Sequence, residues 1–417
     1  MTSMRSRVAR FATAGVAAAI LATGLYTPAA SAHGEKSQQA FLRMRTIHWY
    51  DLRWSTDKLK VNDKMTLTGK FHVFKNWPET TANPETSPAF LNVGIPGPVL
   101  TRVESYIGGQ FVPRSVNLTL GKDYNFKVVM QARRPGRWHM HSMMNVEAAG
   151  PIIGPGKWVE ITGSLADYKH VLTTLTGNQV DIETYGTGAI WGWSWFWYIF
   201  GIAYCAYWCK GPVFVPRYVA CKEGQADSLI TPGDVKVGQV FMVLAVVITF
   251  FGYTSATSEH PITVPLQAGV IGVMDPIPEG MKAVEAVVEQ ATYRVPGRAI
   301  VLKVRVTNRG TNPLQVAEYE TAGVRFLNAA VYKDDTNYPP QLLAPEGLSV
   351  DDNSPIMPGN SKVVTITGTD AAWENERLAD VIYDPDSRFG GLLFFLDTTS
   401  GFRHVVPVGG PLLPRFS

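Results

Sequence analysis

The stretch AIWGWSWFWYIFGIAYCAYW, residues 189–208, decides how the chain is organised. It lies inside a run from Thr184 to Cys209, 26 positions, that carries no charged residue. A helix of that length covers the roughly 30 Å of hydrocarbon in a bilayer, and tryptophan and tyrosine suit the interfacial ends of a span. A second uncharged run, Val237 to Ser258, holds 22 positions around FMVLAVVITFFGY (241–253). The reading is a hairpin of two transmembrane helices, 184–209 and 237–258; a buried helix of a soluble domain is the competing reading for each run. The connecting loop, 210–236, carries Lys210, Arg217, Lys222 and Lys236. Lysine and arginine mark the cytoplasmic side, so both large flanking regions are expected on the outer side.

The N-terminus gives the same topology. Arg5, Arg7 and Arg10 precede an apolar stretch, FATAGVAAAILATGLY (11–26), and Ala30-Ser31-Ala32 offers the small-x-small pattern of a signal cleavage site. Residues 1–32 are expected to be a signal peptide, which would leave His33 first in the mature chain. These three arginines are the only charges in 1–32, so cleavage takes the formal net charge from +3 to zero. A neutral mature chain gives no general electrostatic case for nucleic-acid binding. The three cysteines, Cys205, Cys209 and Cys221, all lie in or beside the hairpin. Neither flanking region can therefore supply the thiolate of a blue-copper electron carrier. Cys205 and Cys209 stand one helical turn apart, and small apolar packing explains that spacing better than metal binding.

Both flanking regions, 33–180 and 259–417, read as β-sandwich domains. MTLTGKFHVFK (65–75) alternates Met65, Leu67, Phe71 and Val73 with Thr66, Thr68, Lys70 and His72, the period of a half-buried strand. SVNLTLG, YNFKVVMQA, RWHMHSM and KWVEITG continue the pattern, with turns at RRPGR and GPGK. AIVLKVRVTNRGTNP, VRFLNAAVY, SKVVTITG and GLLFFLDTTSG repeat it after the hairpin. The expected fold class is mainly β, two sandwiches joined by a membrane-spanning helical hairpin.

Histidines carry the chemistry. In RWHMHSMM (137–144), a strand places His139 and His141 on one face, a ready pair of metal ligands. H-x-H alone equally describes structural or surface histidines, and a third strand histidine would point to zinc. His33 changes the balance: a first-residue histidine offers both its α-amine and its ring Nδ1. With His139 and His141 that is an all-nitrogen set, which suits copper(II) in tetragonal geometry. His48 in TIHWYDLRW and His72 in GKFHVFKNW form a second candidate pair if their strands meet, although His72 shares the polar face of its strand. His404 in GFRHVVPV closes on that pair only if the second sandwich docks against the first. His170 and His260 show no partner, and Met140, Met143 and Met144 read as core residues. No Ser/His/Asp or Cys/His constellation is legible, and GPIIGPGKW (150–158) lacks the context of a phosphate-binding loop.

AHGEKSQQAFLRMRTIHWYDLRW, ESYIGGQFVPRSV, ARRPGRWHMHSMMNV, GPIIGPGKW, PITVPLQAG, ATYRVPGRA and YDPDSRFGGLLFF together resemble the B subunits of the membrane-bound methane and ammonia monooxygenases. The likeness covers essentially the whole chain, and ESYIGGQFVPRSV and RTIHWYDL look more like the methane branch. The resemblance implies two cupredoxin-like domains joined by two transmembrane helices. It implies copper at His33, His139 and His141, and in some members a further copper at residues matching His48 and His72. Those members carry glutamine where this chain has His404, a departure. It also implies A and C membrane subunits as partners in a trimer of heterotrimers, methane and O2 as substrates, and residence in a bacterial inner or intracytoplasmic membrane with both β domains periplasmic. It does not assign the catalytic residues to this subunit. An ammonia-oxidising subunit and a membrane-anchored copper-delivery protein are the alternative functions.

Overall fold

The computed structural model describes residues 38–416, apart from 263–268, 281, 296–297, 335–337 and 385. The expected signal peptide and His33 lie outside the described residues. Among those residues the chain is mainly β, with five sheets.

A short helix, α1 (Ala40–Arg45), leads into ten strands: β1 (Ile47–Trp54), β2 (Lys58–Lys60), β3 (Lys64–Val73), β4 (Ala89–Gly94), β5 (Leu100–Ile107), β6 (Gln110–Phe111), β7 (Ser115–Asn117), β8 (Asp123–Ala132), β9 (Gly136–Val146) and β10 (Gly150–Thr162). One sheet runs β1-β3-β8-β5-β6; a second contains β7-β4-β9-β10-β2. Their apolar faces close on a common core in which Trp49, Leu67 and Phe71 of the first sheet join Leu91, Met140 and Val159 of the second. Period-two alternation does what it predicts in β3, where Met65, Leu67, Phe71 and Val73 are all buried.

Residues 167–268 form a compact unit of their own. It holds a small hairpin, β11 (Val171–Thr173) with β12 (Gln179–Asp181), then α2 (Thr187–Trp208), α3 (Val215–Lys222) and α4 (Pro232–Glu259). α2 and α4 pack antiparallel. The Tyr207 hydroxyl donates to Asp234 Oδ1 at 2.7 Å, the Phe200 and Phe241 ring centroids lie 5.0 Å apart, and Trp193 packs on Gly252. Thr231 and Asp234 form a reciprocal capping box that starts α4, with Pro232 in its first turn. Side chains facing away from the pair are large, apolar and exposed, among them Trp191, Ile199, Val246 and Phe250. Among the described residues one helix, α4, has the length and composition of a membrane span. α2 is charge-free over its 22 residues but rich in Trp and Tyr, which favour the interface over the hydrocarbon centre.

The remaining strands are β13 (Val270–Val273), β14 (Val284–Arg294), β15 (Ala299–Asn308), β16 (Leu314–Thr321), β17 (Val324–Leu327), β18 (Leu343–Ala344), β19 (Leu348–Val350), β20 (Ser361–Gly368), β21 (Arg388–Asp397), β22 (Arg403–Pro411) and β23 (Leu413–Arg415), with α5 (Ala371–Asn375) before β21. Sheets β19-β20-β15-β14-β23 and β18-β17-β16-β21-β22 enclose a second core around Tyr319, Phe326, Trp373 and Phe395.

Two boundaries differ from those read in the sequence. The 171–181 hairpin groups with the helices rather than with the first sandwich. β13, expected in the second sandwich, pairs in parallel with β7 and completes the second sheet of the first sandwich, and Met274 is buried in that core. An otherwise open strand edge explains this exchange: β7 has backbone groups to satisfy, and the returning chain satisfies them.

The two sandwiches form one compact unit. Tyr50 and Phe74 of the first pack on Leu392 and Phe394 of the second. Arg43 and Arg45 of α1 reach into the second sandwich, pairing with Glu376 at 3.3 Å and Asp384 at 3.2 Å. All four side chains are buried, so removing one partner would strand a charge in the interior.

Candidate metal centre

β9 places His139 and His141 on one face, both buried, with Met140 between them turned into the core. The ring nitrogens His139 Nδ1 and His141 Nε2 are 2.9 Å apart. His141 Nδ1 donates to the Gly154 carbonyl at 3.1 Å. A carbonyl only accepts, so this bond puts the His141 proton on Nδ1 and leaves an Nε2 lone pair facing His139.

The surroundings come from β10. Its pairing with β9 slips between Ile153 and Gly156, a bulge at Gly154-Pro155-Gly156. Both glycines are required by close approach. A Cβ on Gly156 would lie 2.4 Å from His141 Nδ1 and 2.8 Å from His139 Cε1, and one on Gly154 would lie 2.3 Å from the Trp49 ring. The Trp158 ring covers His139 at 4.9 Å, and the Arg137 guanidinium lies 4.7 Å over Trp158. Gln38 fastens the incoming chain to the same strand: its amide oxygen accepts from Ile153 N at 2.9 Å, and its amide nitrogen donates to the Pro151 carbonyl.

These donors fit a metal ion. Imidazole nitrogens bind such ions at about 2.0–2.1 Å. Two bonds about 90° apart then separate the nitrogens by about 2.9 Å, whereas a tetrahedral angle separates them by about 3.3 Å. At 2.9 Å the two nitrogens share a hydrogen bond between the rings, and a metal ion would replace the proton between them.

His48 and His72 are paired across β1 and β3, as the second candidate pair requires. Both are buried, so His72 is covered although Thr66, Thr68 and Lys70 on the same face of β3 stay partly exposed. His48 Nε2 lies 3.1 Å from Glu320 Oε2 of β16, and His72 Nδ1 lies 3.2 Å from Asp123 Oδ1, which also accepts from the Tyr50 hydroxyl at 2.8 Å. His404 does not join them. Its neighbour on β22, Val405, packs on the Tyr50–Phe394 cluster, so alternation turns His404 the other way, against Phe402 at 4.9 Å. Among the described residues no three His, Cys, Asp or Glu side chains gather as a metal site. His260 meets the Tyr185 hydroxyl at 3.1 Å, and the His170 backbone N–H donates to Asp181.

Burial, and after it the neighbouring His72, pushes the His48 pKa down to about 3. An unfolded histidine takes a proton near about 6.5, so between these values the unfolded chain binds more protons than the folded one. Stability is therefore present above about pH 6.5 and is lost as pH falls through the window. The melting temperature of the purified protein should drop between pH 6.5 and 4.5, and His48→Gln should flatten that slope. An unchanged slope in the variant would show that His48 is not the titrating group.

A model of the family of monooxygenase B-subunit proteins matches residues 34–416. The chain belongs to this family. It is 53% identical, over all of both chains, to the "Particulate methane monooxygenase alpha subunit" of Methylococcus capsulatus (strain Bath). Among solved structures, the cupredoxin domain of amoB from Nitrosocaldus yellowstonii covers 32% of this chain and 98% of its own at 14% identity and a TM-score of 0.24. A PapD-like domain of human CEP192 covers 34% of this chain and 92% of its own at 13% identity and 0.16. The protein is thus one subunit of a particulate monooxygenase, and a B subunit has other subunits as partners. The bulge glycines and Trp158 escaped the sequence reading. Gly-Pro-Gly inside a strand pattern was the available signal, because a glycine there marks a bulge or a close approach.

Proposed function

We propose that this chain is the copper-binding subunit of a membrane-embedded monooxygenase that oxidises methane to methanol with O2. The convergence of His139 Nδ1 and His141 Nε2 carries the reading. The copper would be held by these two nitrogens with the α-amine and ring of His33. Gln38, five residues beyond His33, is bonded beside Gly154, and an extended chain spans about 3.3–3.6 Å per residue, so His33 has the reach. When bound, copper supplies one-electron redox chemistry. The chain's own part is to hold the donors: Gly154 sets the His141 tautomer, Gly156 leaves room for both rings beside the backbone, and Trp158 packs over His139. Methane as substrate is supported by the name of the 53% identical relative.

In this reading both sandwiches are cupredoxin-like, α2 and α4 both cross the bilayer, and the A and C subunits complete a trimer of heterotrimers. At about 1.5 Å per residue, the 22 and 28 residues of α2 and α4 reach about 33 and 42 Å. The cationic loop would be cytoplasmic and both β domains periplasmic. Cys221 should then resist an impermeant maleimide in right-side-out vesicles and react in inverted ones; labelling from the outside would overturn the topology.

The test of function is made on the purified membrane complex. His139→Ala and His141→Ala should each weaken copper retention at least about tenfold and lose the nitrogen-ligand signature in copper spectroscopy. Methane and ammonia turnover on the same preparation should favour methane. Full copper retention in both variants would remove the assignment.

A further inference from the structure

The hairpin joining β16 and β17 turns in two residues, Ala322 and Gly323, with φ of 49° and 84°. Positive φ at both positions is the tight turn that suits the twist of antiparallel strands. Its two carbonyls are each held from outside the turn. Arg43 Nη2 donates to the Ala322 carbonyl at 3.0 Å, and the Tyr338 hydroxyl donates to the Gly323 carbonyl at 2.7 Å; both bonds are buried. The tip of the second sandwich is thus pinned, and it lies beside Pro155 of the first. A Cβ on Gly323 would lie 3.1 Å from Pro155 Cγ and 3.5 Å from Cδ.

Pro155 is the middle of the bulge. The carbonyl of the residue before it accepts the hydrogen bond from His141 Nδ1, and the residue after it is the one both imidazoles approach. A shift of the Pro155 ring moves both at once, because the peptide planes on either side are rigid.

We propose that the β16–β17 hairpin positions the histidine pair, with Gly323 acting on the imidazoles through Pro155. The second sandwich is then part of the copper site's support although it supplies no ligand. This rests on the reading that His139 and His141 bind copper. The donors sit in a close-packed interior, where a displacement of a few tenths of an ångström is transmitted rather than absorbed. Groups that orient metal ligands typically change affinity about 10–100-fold when lost.

The experiment compares four variants of the intact complex by copper affinity and by the copper(II) hyperfine splitting in electron paramagnetic resonance. Gly323→Ala adds a methyl group against Pro155 and strains a left-handed residue. Gly359→Ala imposes the same kind of strain in the same sandwich, at φ 78°, where a Cβ meets nothing within 4 Å. Pro155→Ala removes the contact without touching the hairpin, and His139→Ala tests the underlying site. Gly323→Ala and Pro155→Ala are expected to weaken copper about tenfold and shift the splitting, with Gly359→Ala matching the parent. If Gly323→Ala and Pro155→Ala both behave like Gly359→Ala while His139→Ala loses copper, the hairpin has no positioning role. If His139→Ala keeps its copper, the site itself is misassigned and the proposal falls with it.

Discussion

Gly156→Ala is expected to cost this monooxygenase component at least about tenfold in copper affinity and to change the copper(II) spectrum. The added methyl group would stand 2.4 Å from His141 Nδ1, 2.5 Å from its Cε1 and 2.8 Å from His139 Cε1. No contact that short survives, so either both rings swing off the backbone or the bulge opens. A ring that swings loses the bond from Nδ1 to the Gly154 carbonyl, and with it the fixed tautomer. Overpacking a well-filled interior costs about 1–3 kcal/mol, so the protein should still fold with a modestly lowered melting temperature. Copper titration and spectroscopy on the folded variant check the expectation. A variant with parental affinity and spectrum would mean that the imidazoles do not rest on Gly156 when metal is bound.

Placing one residue ahead of His33, with signal cleavage left intact, should weaken copper binding as much as removing an imidazole, again at least about tenfold. The extension turns the α-amine into an amide, which coordinates only by giving up its proton, and carries the new amine away from the His33 ring. An α-amine has an ordinary pKa of about 7.7–8.0, so protons compete with copper near neutrality. Affinity in the parent should fall as pH drops from 8 to 6, and the extended variant should lack the part of that slope due to the amine. The measurement is a copper titration across pH on the intact complex of each. Equal affinities at every pH would show that the N-terminus is not a ligand.

What the sequence determined by itself was local. The apolar runs marked α2 and α4, because helical length and the absence of charge are written in consecutive residues. Alternation marked strands such as β3 and β9, and in β9 it put His139 and His141 on one face, since side-chain direction follows from a period of two. Motifs spread along the chain carried the family resemblance.

Tertiary structure decided everything that depends on which distant segments meet. β13 left its own sandwich to pair with β7, a choice made by an open edge more than 150 positions away. His72 lies on a strand face that reads as polar, yet it is buried, with Asp123 of β8 at 3.2 Å and the Phe74 ring at 4.9 Å. His404 was expected beside His48 and His72 if the second sandwich docked on the first, and as the position matching a family glutamine; one step of strand alternation, set by the packing of Val405, turns it from them. Gly154-Pro155-Gly156 read as a turn between strands, yet it is a bulge inside β10 that accommodates the rings supplied by β9. A glycine's purpose lies in what approaches it, and nothing in its own stretch of chain names the neighbour.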